Sequence, residues 1–213
     1  MTKLSILLCA HCPNASYDDL LAKAISSIYK QSYKDYKLFI VLDECWDGTL
    51  SKVKDVITPD TEIIIRNKKE GLARAKNTGL ERINTEYVAF LDADDEYVSG
   101  KLEKQMNFIE NNNVDFLGTL ATIKNKGQIY PSGFSVGQYE THEQIYNRIF
   151  QENIMTHGSM LIRKKALDEL GGYHDVRGME DWDLWQRAIS SGYKFHQLQE
   201  RLYMLTMGTS VER

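Results

Sequence analysis

Residues 87–96, Tyr87-Val88-Ala89-Phe90-Leu91-Asp92-Ala93-Asp94-Asp95-Glu96, join an unbroken apolar run to four acids in five positions. A short apolar run bounded by charge reads as a strand buried on both faces. The acids then emerge where that strand ends. In extended chain Asp92 and Asp94 point to the same side, because side chains alternate with a period of two. Two carboxylates about 4 Å apart repel by about 4 kcal/mol at an effective dielectric of about 20. Solvent, a raised pKa or a cation must offset this. Mg²⁺ and Mn²⁺ favour oxygen ligands and bridge one or two carboxylates to substrate phosphates. An exposed acidic turn with a helix cap is the plain alternative; the position at the end of a buried strand favours a metal.

Upstream the same rhythm recurs. Residues 4–8, 38–42 and 63–65 are further apolar runs. Ser16, with Asp19 three residues on, offers an N-cap for a helix bearing Leu20, Leu21, Ala24, Ile25 and Ile28. Thr49 caps a short helix carrying Leu50, Val53 and Ile57, which Pro59 closes. Leu72, Ala75, Leu80 and Ile83 predict a third, weakened by Gly79. Strands alternating with helices over short connections imply βαβ units, hence an α/β fold around a mostly parallel sheet. Ligands of such sheets sit beyond the carboxyl ends of the strands. The residues there are polar: His11, Asp43, Arg66, Asn67 and Asp92.

Downstream the pattern loosens. Leu102, Met106 and Ile109 predict a helix and residues 116–123 a strand. Residues 124–140 read as loop or hairpin. Thr141 with Gln144 predicts a capped helix through Ile145 and Ile149. Residues 160–162 suggest a short strand, and Leu184, Trp185, Ala188 and Ile189 form one helical stripe. No repeat or linker divides the 213 residues, which read as a single domain with two lobes meeting near residue 95.

Composition narrows the function. At 42% apolar and 26% charged residues, disorder is excluded. With 26 basic against 30 acidic residues, net charge −4, there is no footprint for nucleic acid. No apolar run approaches the roughly 20 residues that span a bilayer, and residues 4–10 lack the flanks of a secretory signal. Three cysteines cannot all pair, which points to a reducing cytoplasm. Cys9-Ala10-His11-Cys12 has no second cysteine pair to complete a zinc site. Nor does it open a helix, as a redox motif would.

An ordered set of motifs adds to this. Gln31-Ser32-Tyr33 is followed by Asp43, then Asp47-Gly48-Thr49. Next come Gly71-Leu72-Ala73-Arg74-Ala75-Lys76-Asn77-Thr78-Gly79, Phe90-Leu91-Asp92-Ala93-Asp94-Asp95, and Gly178-Met179-Glu180-Asp181-Trp182-Asp183-Leu184. In this order they resemble glycosyltransferase family 2 over nearly the whole chain. The resemblance implies a GT-A fold: a Rossmann-like, mostly parallel central sheet flanked by helices, with a smaller mixed acceptor-side lobe. Residues 1–95 would be the nucleotide-sugar-binding half and 96–213 the acceptor-binding and catalytic-base half.

It further implies transfer, with inversion, from a nucleotide-diphosphate sugar to a hydroxyl of a saccharide or glycolipid. UDP-sugars are the commonest donors in the family, and the setting is surface polysaccharide biosynthesis. His11, Asp43, Arg74, Lys76 and Asp92 would meet the donor, Asp94 a divalent cation (Mn²⁺ or Mg²⁺). Asp181 would be the general base, with His157, Glu180 and Trp182 toward the acceptor. The chain would act in the cytoplasm or at the inner face of the membrane, without a span; peripheral membrane association and a homodimer are both compatible with that. The rival readings are a non-catalytic sugar- or nucleotide-binding relative and a sugar-1-phosphate nucleotidyltransferase. The latter wants a glycine-rich basic loop after strand one, and residues 9–16 hold neither glycine nor lysine.

The chain departs from the family pattern at several points. Lys76 stands where arginine is usual and lacks the bidentate fork. Thr206 stands where a metal-binding histidine often lies, so that the metal keeps a water, His196 replaces it, or metal dependence is weak. The turn at residues 43–49 is short and bulky, leaving the nucleotide base open. The chain ends at Arg213 without the extension of processive synthases, which implies single addition.

Overall fold

A computed structural model of the chain describes residues 2–68, 70–131 and 139–207. The first half lays down four parallel strands: β1 (Leu4–Ala10), β2 (Tyr36–Asp43), β3 (Glu62–Arg66) and β4 (Tyr87–Asp92). They are joined through α1 (Asp18–Tyr29), α2 (Asp47–Val56) and α3 (Leu72–Leu80). The second half adds β5 (Glu96–Tyr97), α4 (Lys101–Asn111), β6 (Phe116–Asn125), β7 (Gln128–Pro131) and α5 (His142–Ile149). It ends with β8 (Leu161–Arg163), α6 (Lys164–Glu169), α7 (Glu180–Ser190) and β9 (Phe195–Met207). The strands form one sheet in the order β3-β2-β1-β4-β8-β6-β9-β5, with β7 paired to β6. The second half therefore continues the sheet across β4, first through the antiparallel β8.

Continuous apolar strands have a simple cause here: both faces of the sheet are covered. Along β1, Leu4, Ile6 and Leu8 join one core and Leu7 the other; along β4, Tyr87, Ala89 and Leu91 part from Val88 and Phe90 in the same way. Helices α1 and α4 supply the first core with Leu21, Ile25, Ile28, Leu102, Met106 and Ile109. Helices α3, α5 and α7 supply the second with Ala73, Ala75, Ile145, Ile149, Leu184 and Trp185.

Local details differ from the sequence reading. Asn14, not Ser16, is the cap: its side chain accepts the Ser16 N–H at the head of a 3₁₀ turn, and α1 starts only at Asp18. Thr49 lies inside α2, with its hydroxyl donating to buried Asp18 Oδ1 at 2.8 Å. Ile83 falls beyond α3. The capping box of Thr141 and Gln144 forms as predicted. The 124–140 stretch begins as a β6–β7 hairpin; residues 132–138 lie outside the described residues. The sequence reading had no counterpart for β9. Its pairing with β6 slips at Thr119/Leu120 and Leu120/Ala121, so the alternation of exposure over residues 195–198 is lost beyond them.

Candidate active site

The carboxyl ends of β1, β2 and β4 lie side by side, since β1 pairs with both neighbours. His11 follows β1, and its Nδ1–H donates to the Asp43 carbonyl at 2.8 Å. Asp43 ends β2 opposite Arg66, whose Nε lies 2.9 Å from Asp43 Oδ1 as an ion pair. Burial pushes the Asp43 carboxyl up, against the pull of Arg66 and His11. Arg66 also reaches Thr78 Oγ1 at 2.7 Å and Glu70 Oε2 at 2.8 Å, which ties the end of β3 to α3.

The four acids after Leu91 part company. The chain does not stay extended: Asp95 N–H donates to the Asp92 carbonyl at 3.1 Å, closing a turn over residues 92–95. The same-side argument for Asp92 and Asp94 thus fails, and curvature separates the acids by role instead. Asp95 turns inward and is fully buried. It accepts the Tyr203 hydroxyl at 2.9 Å and the Thr206 N–H at 2.7 Å, while Tyr203 accepts the Asp92 N–H at 3.3 Å. Burial, then Asp92 and Asp94, hold its carboxyl well above the usual range. Asp92 and Asp94 are half-buried at the rim.

Among the described residues no three His, Cys, Asp or Glu side chains gather as a metal site. Asp95 is spent on Tyr203 and Thr206, so a cation at this rim would have to draw its aspartate oxygens from Asp92 and Asp94. Two carboxylates suit a Mg²⁺ or Mn²⁺ ion that takes its other ligands from phosphate and water. His196 is no substitute ligand. It stacks on Phe108 at 4.4 Å near the start of β9, ten residues and about 30 Å of extended strand from Thr206.

The second half brings its own polar residues to the Asp92 end of the rim. His157 Nδ1 lies 3.8 Å from Asp92 Oδ1, and its Nε2 shares a 2.8 Å hydrogen bond with the Tyr173 hydroxyl. Tyr173 is pinned to α3 through its backbone: its N–H donates to Asn77 Oδ1 and its carbonyl accepts Asn77 Nδ2, both at 2.8 Å. Gly172, at φ +72, permits this, since a Cβ there would collide with the Asn77 amide. Lys76 lies 5.0 Å over the Tyr173 ring and donates to Glu180 Oε1 at 3.0 Å; both partners of this pair are buried.

Burial opposes the charge on Glu180, but Lys76, the backbone of α7 and His157 outweigh it and hold the carboxyl below its usual range. Next to it, Asp181 Oδ2 accepts Asn153 Nδ2 at 3.0 Å and Oδ1 accepts the Trp182 N–H at 2.7 Å. Three acids in the first turn of α7 complement its dipole.

Tyr173 is where the halves meet. Burial raises its phenol well above the usual range, and Asp181, Cys9, Glu180 and Asp92 push in the same direction. His157 links Tyr173 to Asp92, and Lys76 links its ring to Glu180 beside Asp181. Of the residues singled out in the sequence, Asp92, His157, Lys76, Glu180 and Asp181 converge here, and His11 and Asp43 adjoin them along the strand ends. Arg74 is exposed on α3. Trp182 is half-buried against the second core, its indole N–H donating to the Ile149 carbonyl. Sequence reasoning missed Tyr173, Asn77, Asn153 and Tyr203. Only the glycine pair before Tyr173 signalled a constrained turn.

The cysteines are thiols: Cys9 is pushed up to about 12 by burial, and Cys12 pairs not with Cys9 but with Cys45, whose Sγ accepts the Cys12 N–H at 3.2 Å.

The comparisons with known proteins concern the family and the fold. The model of "Glycosyl transferase family 2" matches residues 9–171. A chain from Methanocaldococcus jannaschii described as an uncharacterized glycosyltransferase is 32% identical over 187 residues, 85% of this chain and 64% of its own. The putative glycosyltransferase EpsE of Bacillus subtilis is 33% identical over 196 residues, 86% and 66% of the two chains. The Escherichia coli UDP-Glc:alpha-D-GlcNAc-diphosphoundecaprenol beta-1,3-glucosyltransferase WfgD is 29% identical over 140 residues, 65% and 53%. The chain thus spans between half and two thirds of the length of these relatives.

Among solved structures, S. aureus TarS with UDP-GlcNAc superposes with a TM-score of 0.80 at 17% identity, covering 98% of this chain and 60% of that one. The Pyrobaculum calidifontis mannosyltransferase PcManGT, with GDP-Man and Mn²⁺, gives 0.76 at 18% identity, covering 98% and 58%. Both likenesses establish the GT-A fold. The family match extends over most of the chain, from the end of β1 to the residue pair before Tyr173, and the chain belongs to glycosyl transferase family 2.

Proposed function

We propose that the protein is an inverting glycosyltransferase that moves one sugar from a UDP-sugar to a hydroxyl of a glycolipid or saccharide acceptor. One observation carries this: His157 lies 3.8 Å from Asp92 and bonds Tyr173 at 2.8 Å, while Lys76, over the Tyr173 ring, pairs with Glu180, the neighbour of Asp181. The donor side takes His11, Asp43, Arg74, Lys76 and Asp92. Of these, Lys76 would act through its buried pair with Glu180 rather than as an open contact to phosphate. Asp94, with Asp92, would hold a divalent cation. When bound, such a cation stabilises the charge that grows on the departing diphosphate.

Asp181 accepts the proton of the acceptor hydroxyl as its oxygen bonds to the anomeric carbon and the bond to the diphosphate breaks. The pair of electrons in that bond leaves with the diphosphate. A single displacement needs one base and no covalent nucleophile, which accounts for inversion. His157, Glu180 and Trp182 lie on the acceptor side. The printed activity of the WfgD relative, a glucosyl transfer from UDP-Glc to a diphosphoundecaprenol-linked sugar, supports a UDP donor and a lipid-linked acceptor. With such an acceptor the protein would work at the cytoplasmic face of a membrane. Among the described residues no helix is long and apolar enough to cross one.

The test is Asp181→Asn, assayed by nucleoside diphosphate release from UDP-glucose, UDP-N-acetylglucosamine and GDP-mannose with lipid-linked sugar acceptors. Transfer falls by about 10²-fold or more, at the scale of general-base catalysis, while donor binding holds. Full activity removes Asp181 from the mechanism.

A further inference from the structure

We infer that Asn153 is a positioning residue for Asp181, holding its carboxylate in the plane that proton transfer requires; this rests on the reading of Asp181 as the general base. An aspartate χ2 is a broad torsion, so a carboxylate at a helix start has no intrinsic preferred plane. Here both oxygens are engaged: Oδ1 by the Trp182 N–H at 2.7 Å, Oδ2 by Asn153 Nδ2 at 3.0 Å. The first bond comes from the adjacent residue and turns with α7. The second comes from 28 residues away and fixes the carboxylate against a separate element.

Asn153 is itself held. Its Oδ1 accepts the Met155 N–H at 3.3 Å, which leaves the NH₂ group, and not the oxygen, to face Asp181. Ile154 and Met155, which follow it, are each 3% exposed and anchor the segment in the second core. On the other side Trp182 donates its indole N–H to the Ile149 carbonyl at the end of α5. The stretch from Ile149 to Asn153 therefore braces α7 at two successive residues, one of them the base.

The choice of an amide also fits the chemistry. A lysine or arginine here would set a full positive charge against the carboxylate and lower its affinity for the proton it must take, weakening the base. An aspartate would set two carboxylates against each other. A neutral donor orients the carboxylate and leaves it charged, and it cannot change protonation during turnover.

The experiment compares Asn153→Ala and the isosteric Asn153→Asp in nucleoside diphosphate release from UDP-glucose, UDP-N-acetylglucosamine and GDP-mannose. In N153A kcat falls about 10–100-fold, the range of a slightly misplaced catalytic group, with KM for the donor unchanged. N153D falls at least as far although its volume is conserved. Added to Asp181→Asn, N153A causes no further loss. A rise in KM alone, or an undiminished loss on the D181N background, makes Asn153 a structural residue and overturns the inference.

A second arm needs no turnover. The Asn153 side-chain amide cross-peaks in a ¹H–¹⁵N spectrum are assigned by their loss in N153A. They shift and exchange faster with solvent in Asp181→Ala; cross-peaks that do not move overturn the inference. Full activity in D181N would retire the base while leaving this spectroscopic coupling intact, so the two failures are distinguishable.

Discussion

Lys101 presents the plainest single-residue energetics in the molecule. It is fully buried, donates to Gln105 Oε1 at 2.7 Å and lies 4.1 Å from the centre of the Tyr97 ring. Burial alone pulls its ammonium well below the usual lysine range. The unfolded chain therefore binds a proton that the folded one releases, between the folded value and the ordinary one. Stability rises with pH across that window, and the contribution is lost as pH falls through the folded value. Relative to Lys101→Met, the wild type gains stability between about pH 7.5 and pH 10, read from urea midpoints at constant slope. A gap that does not change with pH would mean that the ammonium stays hydrated.

Gly158 gives a second residue-level prediction. A Cβ at this position would overlap the hydroxyl of Tyr203, which bonds Asp95 and the Asp92 N–H. Gly158→Ala therefore costs about 1–3 kcal/mol by overpacking, and it loosens the turn that carries Asp92 and Asp94. Thermal unfolding measures the first effect. Mn²⁺ titration of donor-dependent stabilisation measures the second.

At the level of elements, the link between α3 and α7 is the buried pair Lys76–Glu180, whose members are 104 residues apart. Removing one partner strands a buried charge and costs about 3–5 kcal/mol, whereas replacing both with apolar residues of similar size is close to neutral. Lys76→Met should therefore destabilise more than Lys76→Met combined with Glu180→Met. Urea unfolding of the single and double variants decides it; an additive double variant would show that the pair is not coupled. The elements themselves were legible where one periodicity dominated. Strands β1, β2 and β4 are covered on both faces and so are written as continuous apolar runs. Helix α5 announces itself by its capping box. Strand β9 has bulges over residues 199–202 that break its alternation, and the two-residue β5 is too short to carry a pattern.

For the whole molecule the question is whether the two halves of the sheet respond to one ligand. A donor at 100 times its Kd adds about 2.7 kcal/mol to the stability of the folded chain. For a chain of this size that amounts to a rise in Tm of several degrees. UDP-glucose, UDP-N-acetylglucosamine and GDP-mannose should be compared with Mn²⁺ and with a chelator. The expected outcome is a shift for at least one donor that Mn²⁺ enlarges and that Asp94→Asn reduces to the chelator level. Equal shifts with and without Mn²⁺ would remove the cation from donor binding.

The acids of the site could be read one by one along the chain, because each sits at a position that local rules identify. Asp43 and Asp92 close apolar strands, and Glu180 and Asp181 open an amphipathic helix. Their order in sequence also placed the chain in its family. Which of them share an environment was decided only by the sheet, which carries the chain across β4 into β8 and β6 and brings the start of α7 to Lys76 and, through it, to Tyr173. The inward turn of Asp95, the burial of Lys76 against Glu180 and the hold of Asn153 on Asp181 all join residues 28 or more positions apart or depend on such contacts. Local propensity extends over a turn of helix or a few strand residues. Contacts of this range exist only once burial has fixed both partners, so they belong to the tertiary structure.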